Sequence, residues 1–420
     1  MAIKRWLGNA AAIADVWTIS LSGTVISQIY TVTINSKTVQ YVADGAATVS
    51  TVLAGLRAAL SAISPSPPVE FTELTAATLP TVGPFTSLTL TGNTPGKPHT
   101  ISVGTSGAAS FSITNTTPAT GPNDFKNALN WSGGVAPANS DTLVFDNGSV
   151  ACKYGLSTTL TGIVVSVERG YSGQIGLPFI NSDNSTTTYA EYRPTSLTLD
   201  GGTLICNSAD ISRCNLDFGS TDAVIRVLNS GVRADQGTPV VLITGGDSAT
   251  ELDVTKGDVG VAFYQGTTAE IPSIKSGFAA SPLSDASIIV GPGATLDVVE
   301  KNGGYFGSRS DVVTLSQGVA GGVVDLHDAV EVTTINCYAG TVNLNTTGTI
   351  GTINLYGKST LNADGDPRAK TITNPINVYA KDVTINDNQK SINSGTLTLA
   401  TNGATTVNVG HGANATMEYT

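Results

Sequence analysis

Ile335-Asn336-Cys337-Tyr338-Ala339, Ile353-Asn354-Leu355-Tyr356-Gly357 and Ile376-Asn377-Val378-Tyr379-Ala380 are three copies of one phrase, I-N-x-Y-small, starting 18 and then 23 residues apart. Recurrence on that scale marks a solenoid, whose repeats cannot bury their apolar faces alone. The local pattern has period two, as in Thr341-Val342-Asn343-Leu344 and Thr352-Ile353-Asn354-Leu355, so the coils are built of strands. A coil of that length suits three short strands and three corners at roughly 3.3 Å per strand residue. The fold class is therefore mainly β, with a right-handed parallel β-helix. The shared phase of the three copies predicts that Ile335, Ile353 and Ile376 stack as one internal ladder. Cys337 then takes an inward slot, where Leu355 and Val378 stand in the sister copies.

The same strand-and-corner pattern extends upstream through Ser196–Asp200, Val224–Leu228, Val240–Ile243, Ser287–Gly291, Thr295–Val298 and Gly322–Leu326, punctuated by Gly-Gly, Asn-Gly and Asp-Gly pairs. It assigns 146–420 to the β-helix. The stretch 168–195, with Tyr171, Tyr189, Tyr192, Glu191 and Arg193, does not fit a plain coil and reads as a loop thrown out from it.

Composition agrees. Of 420 residues only 13% are charged and 6% aromatic, while glycine numbers 46. Ordinary globular domains carry about 25% charged residues. Low charge with abundant Gly, Thr, Ser, Asn and Val suits strands and tight corners. It also suits a surface or virion protein, although any strand-rich chain shares it. The net charge of −11 and the lack of a basic run argue against a nucleic-acid partner. No run of about 18 apolar residues exists, so no membrane insertion is expected. Cys206 and Cys214 could pair across a coil, but the four cysteines read best as free buried thiols. No Cys/His spacing points to zinc.

Upstream lie an N-terminal arm (1–17) and a separate unit (18–117). Gln28–Ile34 and Thr38–Val42 alternate as the arms of a hairpin around Asn35-Ser36-Lys37. Thr48–Ile63 places Val49, Val52, Leu53, Leu56, Leu60 and Ile63 at helical spacing and stops at Ser64-Pro65-Ser66-Pro67-Pro68. Strands are expected at Glu70–Ala76, Thr86–Thr91 and Thr100–Val103, giving a small ββαβββ α+β domain with one helix on one sheet. The phrases YTVTINSKTVQYVADGAATVSTVLAGLRAAL and LTLTGNTPGKPHTISV resemble a small module of tailed-bacteriophage structural proteins, which implies docking or assembly. Residues 118–145 read as linker and cap. There the run Asn130-Trp131-Ser132-Gly133-Gly134, Pro137 and Asp141-Thr142-Leu143-Val144-Phe145 resembles the opening segment of β-helical adhesins and autotransporter-like passengers. That resemblance makes Trp131 a structural cap over the first coil, with a ligand-stacking ring as the alternative.

Chemistry is sparse. Glycoside cleavage needs two carboxylates about 5–9.5 Å apart. Asp247, Glu251, Asp253 and Asp258 fall close in sequence, as do Asp325, Asp328 and Glu331, but acids at solenoid corners are mostly solvated surface. His99, His327 and His411 cannot be argued to be neighbours. Asp364-Gly365-Asp366 hints at a calcium loop but lacks the downstream Glu of an EF-hand. No catalytic, metal or cofactor site is assigned. The Met1–Leu7 start is read as mature protein, not as a signal peptide.

The expectation is a virion structural protein, made in the host cytoplasm and placed on the virion surface as capsid decoration, head fibre or tail component. It would dock through its N-terminal region onto capsid or tail proteins, project the β-helix and adhere to a host surface glycan. The resemblance to projecting phage proteins implies a homotrimer, and closed symmetry limits lateral association of so weakly charged a surface. Tyr264, Phe278, Tyr305, Phe306, Tyr189 and Tyr192 are the candidate contact residues, simple burial being the alternative. A polysaccharide-degrading tailspike and a bacterial surface adhesin are the competing readings.

Overall fold

The computed structural model describes residues 2–23, 25–61, 68–158, 160–177, 195–231, 239–277, 286–380, 382–389, 391–394, 396–399, 406–409 and 416–419. The chain divides into two compact units, Leu7–Ala136 and Met1–Trp6 with Pro137–Thr420.

The larger unit is mainly β, made of coils stacked in two long parallel sheets, a β-helix-like solenoid. One sheet runs from Ile3–Arg5 and Thr142–Phe145 to Thr416–Tyr419, and the second from Gln174–Ile175 to Thr406–Val409. Period-two alternation decides what faces inward. Leu143, Val165, Leu204, Ile225, Leu252, Ile274, Val299, Leu315, Ile335, Ile353 and Ile376 form one in-register column. All of them are buried, the three motif isoleucines at 0, 0 and 3% exposure. Burial is worth roughly 25 cal/mol per Å² of apolar surface, so this continuous stack stabilises the unit.

The solenoid's first sheet already includes Thr142–Phe145, ahead of the expected 146, and recruits the chain's beginning. Ile3, Lys4 and Arg5 pair in parallel with Thr142, Leu143 and Val144, so the expected arm supplies a strand of the sheet. Trp6 follows it into the core, its ring centroid 5.9 Å from that of Phe145 and its indole N–H donated to the Val150 carbonyl at 2.9 Å. Trp6 is thus the indole buried in the first coil. Trp131 lies in the other unit, edge-on to Phe125 at 5.3 Å, with its N–H on the Phe125 carbonyl at 2.7 Å.

The smaller unit runs to Ala136, beyond the 117 expected. It holds two antiparallel sheets where one was expected. The first has the order Leu74–Leu79, Ser87–Gly92, Val16–Ser22, Ser110–Thr117, and the second Lys37–Val42, Ile29–Ile34, Ile101–Thr105. Helix Val49–Ser61 buries Val52, Leu53, Leu56 and Leu60 in a core with Tyr30, Val32, Ile34, Leu88 and Leu90. The ββαβββ order misses Val16–Ser22 and Ser110–Thr117. Ser110–Thr117 has only Phe111 and Ile113 as apolar residues, so its alternation is weak in sequence, whereas Trp17, Ile19 and Leu21 alternate cleanly with Thr18, Ser20 and Ser22. Glu70 opens no strand: Pro68 starts a helical turn, Val69–Thr72, and the strand begins at Leu74.

Candidate functional site

On the solenoid's first sheet the repeat phrase puts Ile and the x residue inside and Asn and Tyr outside, on successive coils. Tyr338, Tyr356 and Tyr379 stack there with ring centroids 4.8 Å apart and planes within 13° and 8° of parallel. They are 43, 37 and 45% exposed. The spacing is that of the coils themselves, about 4.7–4.9 Å. Tyr356 has a ring on each face, so what it offers solvent is its edge and hydroxyl. Beside the stack runs an amide ladder. Asn377 Nδ2 donates to Asn354 Oδ1 and Asn354 Nδ2 to Asn336 Oδ1, each at 2.9 Å, and Asn336 reaches Ser316 Oγ at 3.4 Å. A third outward column, Thr314, Thr334 and Thr352, lies two residues before the asparagine column on each strand. The three columns form a flat, uncharged face of hydroxyls, amides and ring edges on a rigid sheet.

The composition of this face changes sharply along the sheet. In the column that holds the asparagines, the earlier coils carry Arg226, Asp253, Lys275 and Glu300 in register. Asp253 therefore sits between two cations, a surface ladder of alternating charge. Glu251 shares its outer face, next to Val224 and Ser273. Asp258 is buried on the second sheet and Asp247 closes a turn through Thr250, so the sequence cluster of four is dispersed.

The second cluster separates as well. Asp325 accepts from Asn343 at the head of another ladder, in which Asn362 Nδ2 donates to Asn343 Oδ1 at 2.8 Å. Asp328 pairs with Arg309 at an exposed corner. Glu331 instead meets Asp311: its backbone N–H donates to Asp311 Oδ1 at 2.7 Å. Both line a groove of about 390 Å³ with Val313, Thr334, Thr352 and Asn374, at the threonine edge of the ladder face. Asp366 of the calcium-like stretch is committed to Arg368, whose guanidinium holds its carboxyl down to about 2.

The aromatic contact candidates fare differently. Phe306 is an inward residue, fully buried, and Tyr264 is 7% exposed, packed edge-on against Phe263 at 5.0 Å. Tyr264 borders an open groove of about 550 Å³ with Asn215, Asp217 and Thr244. Tyr305 is half-buried, its phenol pushed up in pKa by burial and by Asp325. Phe306 and Tyr264 are thus corrected to burial, because alternation in Tyr305-Phe306-Gly307 aims Phe306 at the core. Phe278, Tyr189, Tyr192 and His411 lie outside the described residues. The exposed ring row is Tyr338, Tyr356 and Tyr379. The signal for it was in the repeat phrase, since an inward Ile fixes an outward Tyr three residues on.

His99 does have a neighbour, at long sequence range. Its Nδ1 lies 3.1 Å from both Asp15 carboxylate oxygens, and its backbone N–H and the Trp17 indole each reach Asp15 Oδ2 at 3.0 Å. Its Nε2 is 3.5 Å from Glu73, which pairs with Lys97. Burial pushes the Asp15 carboxyl up, but the bonds from His99 and Trp17 outweigh it and hold it below the usual range. With both side chains at 0% exposure, this cluster ties three segments together inside the fold.

All four cysteines are free and buried. Among the described residues no three His, Cys, Asp or Glu side chains converge as a metal site, and no helix is long and apolar enough to cross a membrane. No family model, curated protein or solved structure matches the chain.

Proposed function

We propose that this chain is a structural protein of a tailed-phage or phage-like particle, with a right-handed parallel β-helix whose ladder face adheres to a neutral host-surface glycan. The observation that carries the reading is the uncharged Tyr338–Tyr356–Tyr379 and Asn336–Asn354–Asn377 face. Hydroxyls and amides on a rigid, preordered sheet suit the hydroxyl-rich, uncharged surface of a saccharide, and little side-chain freedom is lost on binding. Strand–crossover–strand connections between parallel strands are right-handed almost without exception, which supports the handedness. The N-terminal unit, through its resemblance to phage modules, would dock on capsid or tail proteins. Closed trimeric assembly would keep copies of so weakly charged a surface from running on into aggregates.

The test is adhesion of the purified protein to host cells and to their isolated surface polysaccharide. Replacing Tyr338, Tyr356 and Tyr379 together by Ser should abolish retention while labelled antibody still finds the protein on particles. Undiminished retention refutes the adhesive face, and absence from particles refutes the virion role. A tailspike hydrolase is the second reading, favoured by Asp311 and Glu331 on neighbouring coils beside a groove. Release of reducing ends from the polysaccharide, lost in Glu331→Gln, would decide for it.

A further inference from the structure

In the small unit His99 meets Asp15, 84 residues earlier in the chain, and both side chains are fully buried. Each ring nitrogen of His99 faces a carboxylate. Nδ1 lies 3.1 Å from both Asp15 oxygens, and Nε2 lies 3.5 Å from Glu73 Oε2. An ionised carboxylate accepts hydrogen bonds and donates none, and a neutral imidazole has a single N–H. A neutral ring would therefore set a lone pair against Asp15 or against Glu73. Both acids are held ionised. Asp15 also accepts from the His99 backbone N–H and the Trp17 indole, each at 3.0 Å, and Glu73 pairs with Lys97. The charged groups around the ring are thus two carboxylates and one ammonium, and an imidazolium brings their sum to zero. Leaving one buried charge unbalanced is strongly destabilising.

We propose that His99 is held as an imidazolium and latches the small unit, releasing it when alkali takes the proton. Three stretches meet at the ring. Asp15 precedes strand Val16–Ser22, Glu73 precedes Leu74–Leu79, and Lys97–His99 leads into Ile101–Thr105. These strands come from both sheets of the unit, so the latch ties one sheet to the other. The fold favours the charged ring over the unfolded chain. Its contribution is therefore full below the ordinary histidine value of about 6.5 and is lost as pH climbs through the higher value in the fold. On the acid side, burial pushes the Asp15 carboxyl up, but the bonds from His99 and Trp17 hold it below the usual range. That contribution is lost only as pH falls through the lowered value. The latch is closed in weak acid and at neutrality, and it opens in alkali.

The experiment is a pH titration of the full chain labelled with nitrogen-15 histidine, read by NMR of the imidazole nitrogens. His327→Gln and His411→Gln remove the other two histidines and leave the cluster as it is. The result expected is an imidazolium up to at least about pH 8, against about 6.5 for an unperturbed histidine. Glu73→Gln takes away one facing carboxylate and should bring the midpoint down by about one pH unit. Hydrogen exchange by mass spectrometry, corrected for the intrinsic rate, should show protection of residues 12–18 and 93–101 falling at least about tenfold as His99 loses its proton. A neutral ring at about pH 7, or a midpoint at the ordinary value, would overturn the imidazolium. A midpoint unmoved by Glu73→Gln would overturn the pairing with that acid, and unchanged protection across the titration would overturn the latch. Should Glu73→Gln fail to fold, the midpoint and the protection of the chain with its cluster intact decide.

Discussion

The tyrosine ladder makes a prediction about coupling between successive coils. Tyr356 stacks on Tyr338 and on Tyr379 at 4.8 Å each, whereas the next position up the column from Tyr338 is Gly318, which offers no ring. An aromatic pair is worth about 0.5–1.5 kcal/mol beyond area burial. Tyr356→Ala should therefore cost about 1–3 kcal/mol in stacking, and Tyr338→Ala about half of that. The single costs also contain ordinary surface terms, so the informative quantity is the interaction energy from double-mutant cycles. Cycles on Tyr338/Tyr356 and Tyr356/Tyr379 should each return about 0.5–1.5 kcal/mol. The cycle on Tyr338/Tyr379, two coil spacings apart, should return no more than about 0.3–0.5 kcal/mol. Urea unfolding followed by far-ultraviolet circular dichroism supplies the free energies. Additive behaviour in all three cycles would refute the ladder as a stabilising unit. Strong Tyr338/Tyr379 coupling would refute the column order of the coils.

How far the sequence carries this structure depends on the distance over which each signal acts. Period-two alternation is local, so the inward Ile335, Ile353 and Ile376 are legible as soon as the phrase is aligned. The outward row of Tyr338, Tyr356 and Tyr379 follows from the same alternation. The alignment of distant partners is not local. Nothing near Ile3 announces its pairing with Thr142, nor does anything near Asp15 announce His99, because both contacts are set by chain return over more than 80 residues. The acids show the converse: Asp253 and Asp258 are close in sequence, yet lie on different sheets with a corner between them. Weakly apolar strands, such as Ser110–Thr117, stay hidden because neighbouring strands stabilise them and their own pattern does not.

Three further outcomes are expected. Ile353→Ala, in a fully buried site between Ile335 and Ile376, should lower stability by about 2–5 kcal/mol; a loss below 1 kcal/mol in urea unfolding would contradict the internal ladder. Gly92→Ala would drive its new methyl into Asp15 Oδ1 and should cost about 3 kcal/mol by breaking the Asp15–His99 contact, whereas Gly45→Ala, with open space around it, should stay within about 0.5 kcal/mol. Lys301 should give the solenoid an alkaline stability rise. Burial is the larger effect on its ammonium and, only partly opposed by Cys337, holds it down to about 8, so the folded chain releases this proton before the unfolded chain does. Stability should then climb between about pH 8 and 10, by about 3 kcal/mol over the full interval, and be flat in this contribution below pH 8. The difference in unfolding free energy between the native chain and Lys301→Met isolates it; a difference that does not change with pH over that window would mean that the Lys301 side chain is not buried as a cation in the core.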